Sequence, residues 1–181
     1  IHKICETNVV PDKLVEPRTL GGLMCVPFGS ILKGSIVPNT VTKSMHTEKQ
    51  FEPDLQRSTI VPSRYHMSLE NQIKLLHSFN KPVILIDDLL HKGYRIKAIA
   101  PLLKKEGITV DKTIVGILSG RGKELADASE TKVDSAYFIP NLRVWFNESQ
   151  LYPFMGGDSV RTIDPPKRYM IPSINLIMPY M

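Results

Sequence analysis

The chain has 181 residues, of which 42% are hydrophobic and 23% are charged, as in an ordinary globular domain. No stretch comes near the roughly 18 apolar residues that a membrane-spanning helix needs, so we expect no membrane partner. The formal net charge of +5 comes from basic residues spread over the whole chain, so phosphorylated small molecules explain it as well as nucleic acid does.

The cysteine content bears on the cellular location of the protein, and the start of the chain bears on whether it is part of a longer protein. Cys5 and Cys25 lack the spacing of a disulfide framework or a zinc site, which favours a reducing, cytoplasmic location. The chain begins at Ile1 without a signal-peptide pattern. We therefore expect either a domain excised from a longer protein or a chain trimmed at its start, and in that case a missing partner domain would carry part of the function.

The predicted elements begin with an apolar run at residues 23–27, which indicates a buried strand. The polar stretch at residues 43–57 has few apolar residues that could pack, and it predicts a mobile loop between strands. Ser68 can cap a helix whose apolar residues recur at helical spacing as far as Phe79, and Pro82 lies beyond its end.

The next predicted strand and helix carry the acidic residues of most interest. Residues 83–86 are continuously apolar, which is typical of a strand covered on both faces, and Asp87 and Asp88 follow at its carboxyl end. A helix with one apolar face is predicted after Gly93, and Pro101 is expected to kink it or to shorten its regular part.

A second strand-helix unit follows. Residues 113–118 predict another buried strand, and residues 124–128 predict a short helix after it. The glycine-rich turn at residues 119–123 between them suits a second anion site or a wall of the pocket, and a surface loop explains it about as well. Strands joined through helices predict a parallel sheet, which binds ligands outside the carboxyl ends of its strands.

Residues 83–95 form a recognisable motif, with the sequence Val-Ile-Leu-Ile-Asp-Asp-Leu-Leu-His-Lys-Gly-Tyr-Arg. This resembles the phosphoribosyl pyrophosphate signature of the type I phosphoribosyltransferases, in which a hydrophobic strand precedes two acidic residues, two hydrophobic residues, two small residues and a glycine. His91 and Lys92 depart from that pattern, because small hydroxyl-bearing residues usually stand there. At Arg95 the family usually has Thr or Ser.

The resemblance implies a three-layer α/β fold with a mostly parallel sheet and helices on both faces. The chain would form one domain, with a core at about residues 20–140 and a β-rich C-terminal cover at residues 141–181. Strands are predicted in the later part of the chain at residues 136–139, 142–146 and 174–178.

The resemblance also implies a site. Asp87 and Asp88 would be the catalytic pair that faces the ribose hydroxyls, and they would hold Mg²⁺ mostly through water. A helix N-terminus favours an anion, and Gly93 lets the backbone approach it closely. The ribose-phosphate loop would comprise Leu90, His91, Lys92, Gly93, Tyr94 and Arg95.

Two upstream segments match the family in position. Phe28, Gly29 and Ser30 stand where the family has its pyrophosphate loop, and Phe28 takes the place of the usual cation. The polar stretch at residues 43–57 corresponds to the flexible catalytic loop, and a solvated linker is the alternative. Its candidate phosphate contacts are Lys43, His46 and Lys49.

Three functions stay open at this point. An enzyme of this class is a glycosyltransferase that moves phosphoribosyl between pyrophosphate and a nitrogenous base with Mg²⁺. A non-catalytic domain that senses a nucleotide or sugar phosphate is the alternative that His91, Lys92 and Phe28 favour. A metal-dependent hydrolase that uses Asp87 and Asp88 is the third. The expected partners are a small phosphorylated ligand, a fused or associated catalytic domain and a second copy of the chain, without nucleic acid.

Overall fold

A computed structural model of the chain describes residues 1, 4, 22–29, 31–32, 40–54, 56–143, 147–148, 155–156 and 159–160. Within that part no helix is long and apolar enough to cross a membrane. The strands are β1 (Met24–Pro27), β2 (Val41–Thr42), β3 (Thr47–Phe51), β4 (Ser58–Pro62), β5 (Val83–Leu90), β6 (Val110–Ser119), β7 (Val133–Ile139), β8 (Asn147–Glu148), β9 (Met155–Gly156) and β10 (Ser159–Val160), and the helices are α1 (Leu69–His77), α2 (Tyr94–Lys105) and α3 (Gly120–Ala128).

The main sheet has five strands in the order β2-β1-β5-β6-β7, and every pairing within it is parallel. The predicted parallel α/β fold is therefore confirmed. From β1 the chain moves outward to β2, and it then returns to β5 on the other side of β1. In open parallel sheets, ligands bind outside the carboxyl ends of the strands at such a reversal of strand order. The carboxyl ends of β1 and β5 therefore border the crevice where a ligand is expected.

Strand β5 is covered on both faces, as its continuous apolar run predicts. Val83 and Leu85 belong to a core cluster that includes residues of α1 and α2. Ile84 and Ile86 belong to a second cluster, against which Ile1 packs. Because burying one such side chain contributes roughly 1.5–3 kcal/mol, the strand that carries the aspartates is held firmly in place.

Residues 43–57 do not form the predicted mobile loop. They contain β3, which pairs antiparallel with β4 in a hairpin. The amide of Gln72 holds the base of this hairpin: its Nε2 donates to the carbonyl oxygens of His46 and Met67, and its Oε1 accepts from the backbone N–H of His46 at 2.8 Å. The prediction was wrong because it counted apolar residues, whereas a polar side chain from α1 and strand pairing order this segment.

Strand β5 is longer than predicted, whereas helix α2 begins directly after Gly93, as predicted. The pairing of β5 with β6 continues beyond Asp87 as far as Leu90 and Leu118, so the aspartates lie within the last half of the strand and not after its end. Helix α2 runs from Tyr94 to Lys105 with Pro101 inside it.

The predicted glycine-rich turn at residues 119–123 is instead the start of α3. The hydroxyl of Ser119 accepts a hydrogen bond from the backbone N–H of Gly122 and caps the helix, which begins at Gly120 and not at residue 124. A capping hydroxyl compensates for the poor helix propensity of the two glycines in the first turn.

The segment predicted to form a C-terminal cover lies only partly within the described residues. Strand β7 confirms the strand predicted at residues 136–139. Strands β8 and β9 pair with each other, and β10 adds to β3. The strand predicted at residues 142–146 lies mainly outside the described residues, and the one predicted at residues 174–178 lies wholly outside them.

Candidate functional site

The end of β1 lies directly beside β5 in the expected crevice. The backbone N–H of Phe28 donates to the carbonyl oxygen of Ile86 at 2.9 Å, and that of Gly29 donates to the carbonyl oxygen of Met45 at 2.8 Å. Gly29 has a φ of +63°, which favours glycine. Ser30 lies outside the described residues. The structure thus brings Phe28 and Gly29 to the edge where the aspartates lie.

Asp87, Phe28 and Arg95 come together in this crevice from three different segments. Arg95 reaches back from the first turn of α2, and its Nη1 forms an ion pair with Oδ1 of Asp87. The guanidinium carbon of Arg95 also lies 5.1 Å from the centroid of the Phe28 ring, within the range of a cation–π contact. The side chain of Arg95 is therefore held between an acidic and an aromatic partner.

The two aspartates differ in their surroundings. Asp87 is only 4% exposed, and its Oδ1 also accepts from the backbone N–H of Asp88 at 2.9 Å. Burial raises the pKa of the Asp87 carboxyl to about 7, the guanidinium of Arg95 opposes this rise, and the charge of Asp88 adds to it. Asp88 is half-buried. Asp88 is thus the member of the pair that a ligand can reach more readily.

The loop after β5 is held by β6. His91 Nδ1 lies 2.7 Å from the hydroxyl oxygen of Ser119, which is fully buried and also accepts from the N–H of Gly122 at 3.0 Å. Burial lowers the pKa of the His91 imidazole, with further lowering by Lys92 and Arg121. The ring is therefore neutral at neutral pH, and its position is fixed through one nitrogen.

Two glycines allow close packing at the starts of α2 and α3, Gly93 against Leu125 of α3 and Gly122 against Leu90 of β5. Gly93 caps α2 with a φ of +66°, and a Cβ atom there would lie 2.0 Å from Cδ2 of Leu125. At Gly122, a Cβ atom would lie 2.1 Å from the carbonyl oxygen of Leu90. The first amides of a helix have no intrahelical acceptor, and this end carries the positive pole of the helix dipole. Two such helix starts line one cleft.

A cleft of about 370 Å³ lies where these two helices begin. Its walls include basic side chains from the loop, from α2 and from α3. The lining residues with polar groups are His91, Lys92, Tyr94, Lys97, Arg121 and Glu124.

The β3–β4 hairpin places Lys49, one of the predicted phosphate contacts, at the start of α2. Lys49 Nζ lies 4.4 Å from the centroid of the Tyr94 ring and 4.3 Å from that of Phe51. His46 instead stacks on His66 with ring centroids 3.7 Å apart, and burial is the main cause that lowers its pKa. Of these two candidates, Lys49 lies next to the predicted loop, whereas His46 packs at the base of the hairpin.

One carboxylate of the acidic pair is accessible to the Mg²⁺ ion that the resemblance implies. Among the described residues, no three His, Cys, Asp or Glu side chains could hold a metal ion. Asp87 already pairs with Arg95, so Asp88 is the carboxylate that a magnesium ion could approach. Mg²⁺ commonly keeps several waters and uses one or two carboxylates together with substrate phosphates. The residues therefore fit a magnesium ion that arrives with a diphosphate.

The sequence analysis missed two residues of this region. Lys97 lies one helical turn after Tyr94 and lines the cleft, and this spacing of three residues on a predicted helix was a usable signal. Gln72, which orders the hairpin, gave no signal because the backbone groups of His46 that it binds lie 26 residues away in the sequence.

No protein-family profile and no curated protein matches the chain. Among solved structures, the chain is similar to the AQ2163 protein from Aquifex aeolicus, with 19% identity and a TM-score of 0.50 over 76% of this chain and 71% of that chain. It also matches a hypoxanthine phosphoribosyltransferase from Staphylococcus aureus, with 18% identity and a TM-score of 0.44 over 79% of this chain and 74% of that one.

An adenine phosphoribosyltransferase from Thermoanaerobacter pseudethanolicus matches with 15% identity and a TM-score of 0.38, over 76% of this chain and 79% of that chain. At these identities the likeness concerns the fold alone. The five-stranded parallel sheet carries the acidic motif of residues 83–95 on a central strand, at the point where the strand order reverses. The predicted α/β fold, with the acidic motif on a central strand of a parallel sheet, is therefore confirmed.

Proposed function

We propose that the chain binds phosphoribosyl pyrophosphate, or a related ribose phosphate, in the crevice at the carboxyl ends of β1 and β5. The observation that carries this proposal is the position of the acidic pair: Asp88 lies half-buried on β5, three residues before the loop in which Gly93 opens helix α2. Carboxylate oxygens accept from sugar hydroxyls, and amides at a helix start bind phosphate. The sugar hydroxyls and the phosphate group of a ribose phosphate thus each have a binding partner in this crevice.

Each residue has a distinct task in this proposal. Asp88 accepts hydrogen bonds from the ribose hydroxyls, and the first turn of α2 after Gly93 takes the 5′-phosphate. Arg95 supplies a positive charge between Asp87 and the Phe28 ring, at a position where the family usually has Thr or Ser. Bound Mg²⁺ would neutralise diphosphate oxygens, with Asp88 contacting it through water.

The proposed reaction follows from the resemblance. A ring nitrogen of a base attacks C1′ of the ribose and loses its proton to solvent, while the C1′–O bond to pyrophosphate breaks and pyrophosphate leaves with the bonding electrons. The carboxylate of Asp88 stabilises the positive charge that develops on the ribose in the transition state. Such a fixed charge is effective because the crevice borders a buried strand, where water screens it less than in bulk solvent.

Titration calorimetry with phosphoribosyl pyrophosphate and Mg²⁺ tests the binding. Asp88→Asn is expected to weaken binding by about tenfold or more, because it removes a charged acceptor. Asp111→Asn is the matched control, because Asp111 lies near the amino end of β6 and is also half-buried. Absence of binding to the unaltered chain, or equal losses in the two variants, would refute the proposal.

Pyrophosphate release in the presence of nucleobases separates the two classes of function that are compatible with this site. Release that depends on the base and on Asp88 supports transfer. Tight binding of phosphoribosyl pyrophosphate without any release contradicts the transfer step and leaves a domain that senses ribose phosphates.

A further inference from the structure

The base of the β3–β4 hairpin carries two stacked histidine rings. His46 lies directly before β3, and His66 lies in the turn that follows β4. Their ring centroids are 3.7 Å apart, and the angle between the ring planes is 9°. Tyr65, the residue before His66, has a φ of +67°, which is rare for a bulky side chain. The turn thus holds an uncommon backbone conformation next to the contact between the two imidazoles.

The stack lies where the hairpin is attached to the rest of the fold. The backbone N–H and carbonyl oxygen of His46 both bond to the side-chain amide of Gln72 on α1. The same carbonyl oxygen accepts from the backbone N–H of Ser63 at 3.0 Å, which joins the two sides of the hairpin. One residue therefore carries the stacked ring, the link to the helix and the link across the hairpin.

The charges around the His46 imidazole are positive. Burial is the main cause that lowers its pKa, and the charges of His66 and Lys43 lower it further. Within the part of the chain that the structure describes, no carboxylate forms an ion pair with either ring. Arg64 of the same turn adds another cation, whose charge acts on the carboxyl of Glu48. The closed hairpin therefore favours a neutral His46.

Protonation of His46 is consequently linked to opening of the hairpin. In the closed hairpin the pKa of this imidazole lies below 6.5, and in an opened hairpin, with the rings apart, it returns to that ordinary value. Between the two values the opened state binds more protons. The closed state is therefore most stable above about pH 6.5, and it loses stability as pH falls through this value.

We propose that the stacked rings of His46 and His66 form a pH-sensitive clasp, which holds the β3–β4 hairpin closed while His46 is neutral and releases it when acid charges both rings. Lys49 of this hairpin lies 4.4 Å from the centroid of the Tyr94 ring. Release of the clasp therefore separates the hairpin from the start of α2. The clasp goes beyond the proposed function, because it does not depend on which ligand the crevice binds.

Hydrogen exchange at about pH 7.5 and about pH 5.5 tests the clasp, with each rate corrected for the intrinsic pH dependence of exchange. The corrected protection of the His46 and Ser63 amides is expected to fall by up to about tenfold at the lower pH. This factor follows from protonation of an imidazole with a pKa of 6.5 in the opened state only. The amide of Val115, in the buried part of β6, should not lose protection.

Three variants identify the titrating group. His46→Phe keeps a ring that can stack but cannot be protonated, so the protection at Ser63 should be the same at both pH values. His66→Phe removes the second charge from the stack, so the fall should become smaller. His77→Phe is the matched control and should keep the full fall, because His77 is an exposed histidine in the last turn of α1.

Each outcome decides for or against the clasp. Equal protection of the unaltered chain at both pH values overturns the proposal, and so does a fall that persists in His46→Phe, because another group then titrates. A simultaneous fall at Val115 overturns it as well, since the whole fold then responds to acid. If His46→Phe does not fold, His66→Phe decides, and an undiminished fall in that variant overturns the clasp.

Discussion

Replacing Asp87 by asparagine should change how the stability of the fold depends on pH. Burial raises the pKa of this carboxyl from the usual 3.8 to about 7 in the folded chain. Between these two values the folded carboxyl holds a proton that the unfolded one has released. The folded state therefore binds more protons, and its free energy of unfolding falls as pH rises through this interval.

The size of this effect follows from the same two values. The difference between 3.8 and about 7 corresponds to about 4 kcal/mol in the free energy of unfolding. We therefore expect the stability of the unaltered chain, measured relative to Asp87→Asn, to fall by up to about 4 kcal/mol between about pH 4 and about pH 8. The comparison with the variant removes the contributions of all other titrating groups.

Urea denaturation at several pH values measures these free energies. Arg95→Leu extends the experiment, because it leaves the buried carboxylate of Asp87 without its guanidinium partner. At about pH 8 this variant should lose about 3 kcal/mol, and at about pH 5 it should lose less, because the carboxyl is then mostly protonated. Parallel stability curves for the unaltered chain and Asp87→Asn would refute the reasoning, since Asp87 would then have the same pKa in both states.

Two further substitutions, with Gly107→Ala as a control, test how the start of α3 is held. Gly122→Ala should cost about 2–3 kcal/mol by urea denaturation, because its Cβ would lie 2.1 Å from the carbonyl oxygen of Leu90. Gly107→Ala, which has a φ of +71° but open space around it, should cost only about 1–2 kcal/mol, and equal costs would contradict the contact. Ser119→Ala removes the cap of α3 and should cost about 1 kcal/mol. Hydrogen exchange should then show lower protection at the start of α3, and unchanged protection would argue against the cap.

Local pattern was sufficient to predict much of the core. The continuous apolar run before Asp87 predicts a strand that is covered on both faces, and the structure places it in the centre of the sheet. Ser68 and the apolar spacing after it predict α1. These elements were predictable because burial on one or two faces leaves a periodic trace in the sequence.

The polar segments were predicted less well. The hairpin at residues 43–57 depends on strand pairing and on Gln72, and neither produces an apolar period. The early start of α3 depends on the hydroxyl of Ser119, which outweighs two glycines. Here the deciding partners are hydrogen bonds, which a count of apolar residues does not register.

The sequence alone determined the class of the fold and the segment of the acidic motif, because hydrophobic periodicity and residue spacing are local properties of the chain. Only the tertiary structure decided that Arg95 pairs with Asp87 against the Phe28 ring, and that the cations Lys97 and Arg121 line one cleft. These contacts join residues that lie on different elements. Their distances are set by how the strands pair and how the helices pack, and no local pattern contains that information.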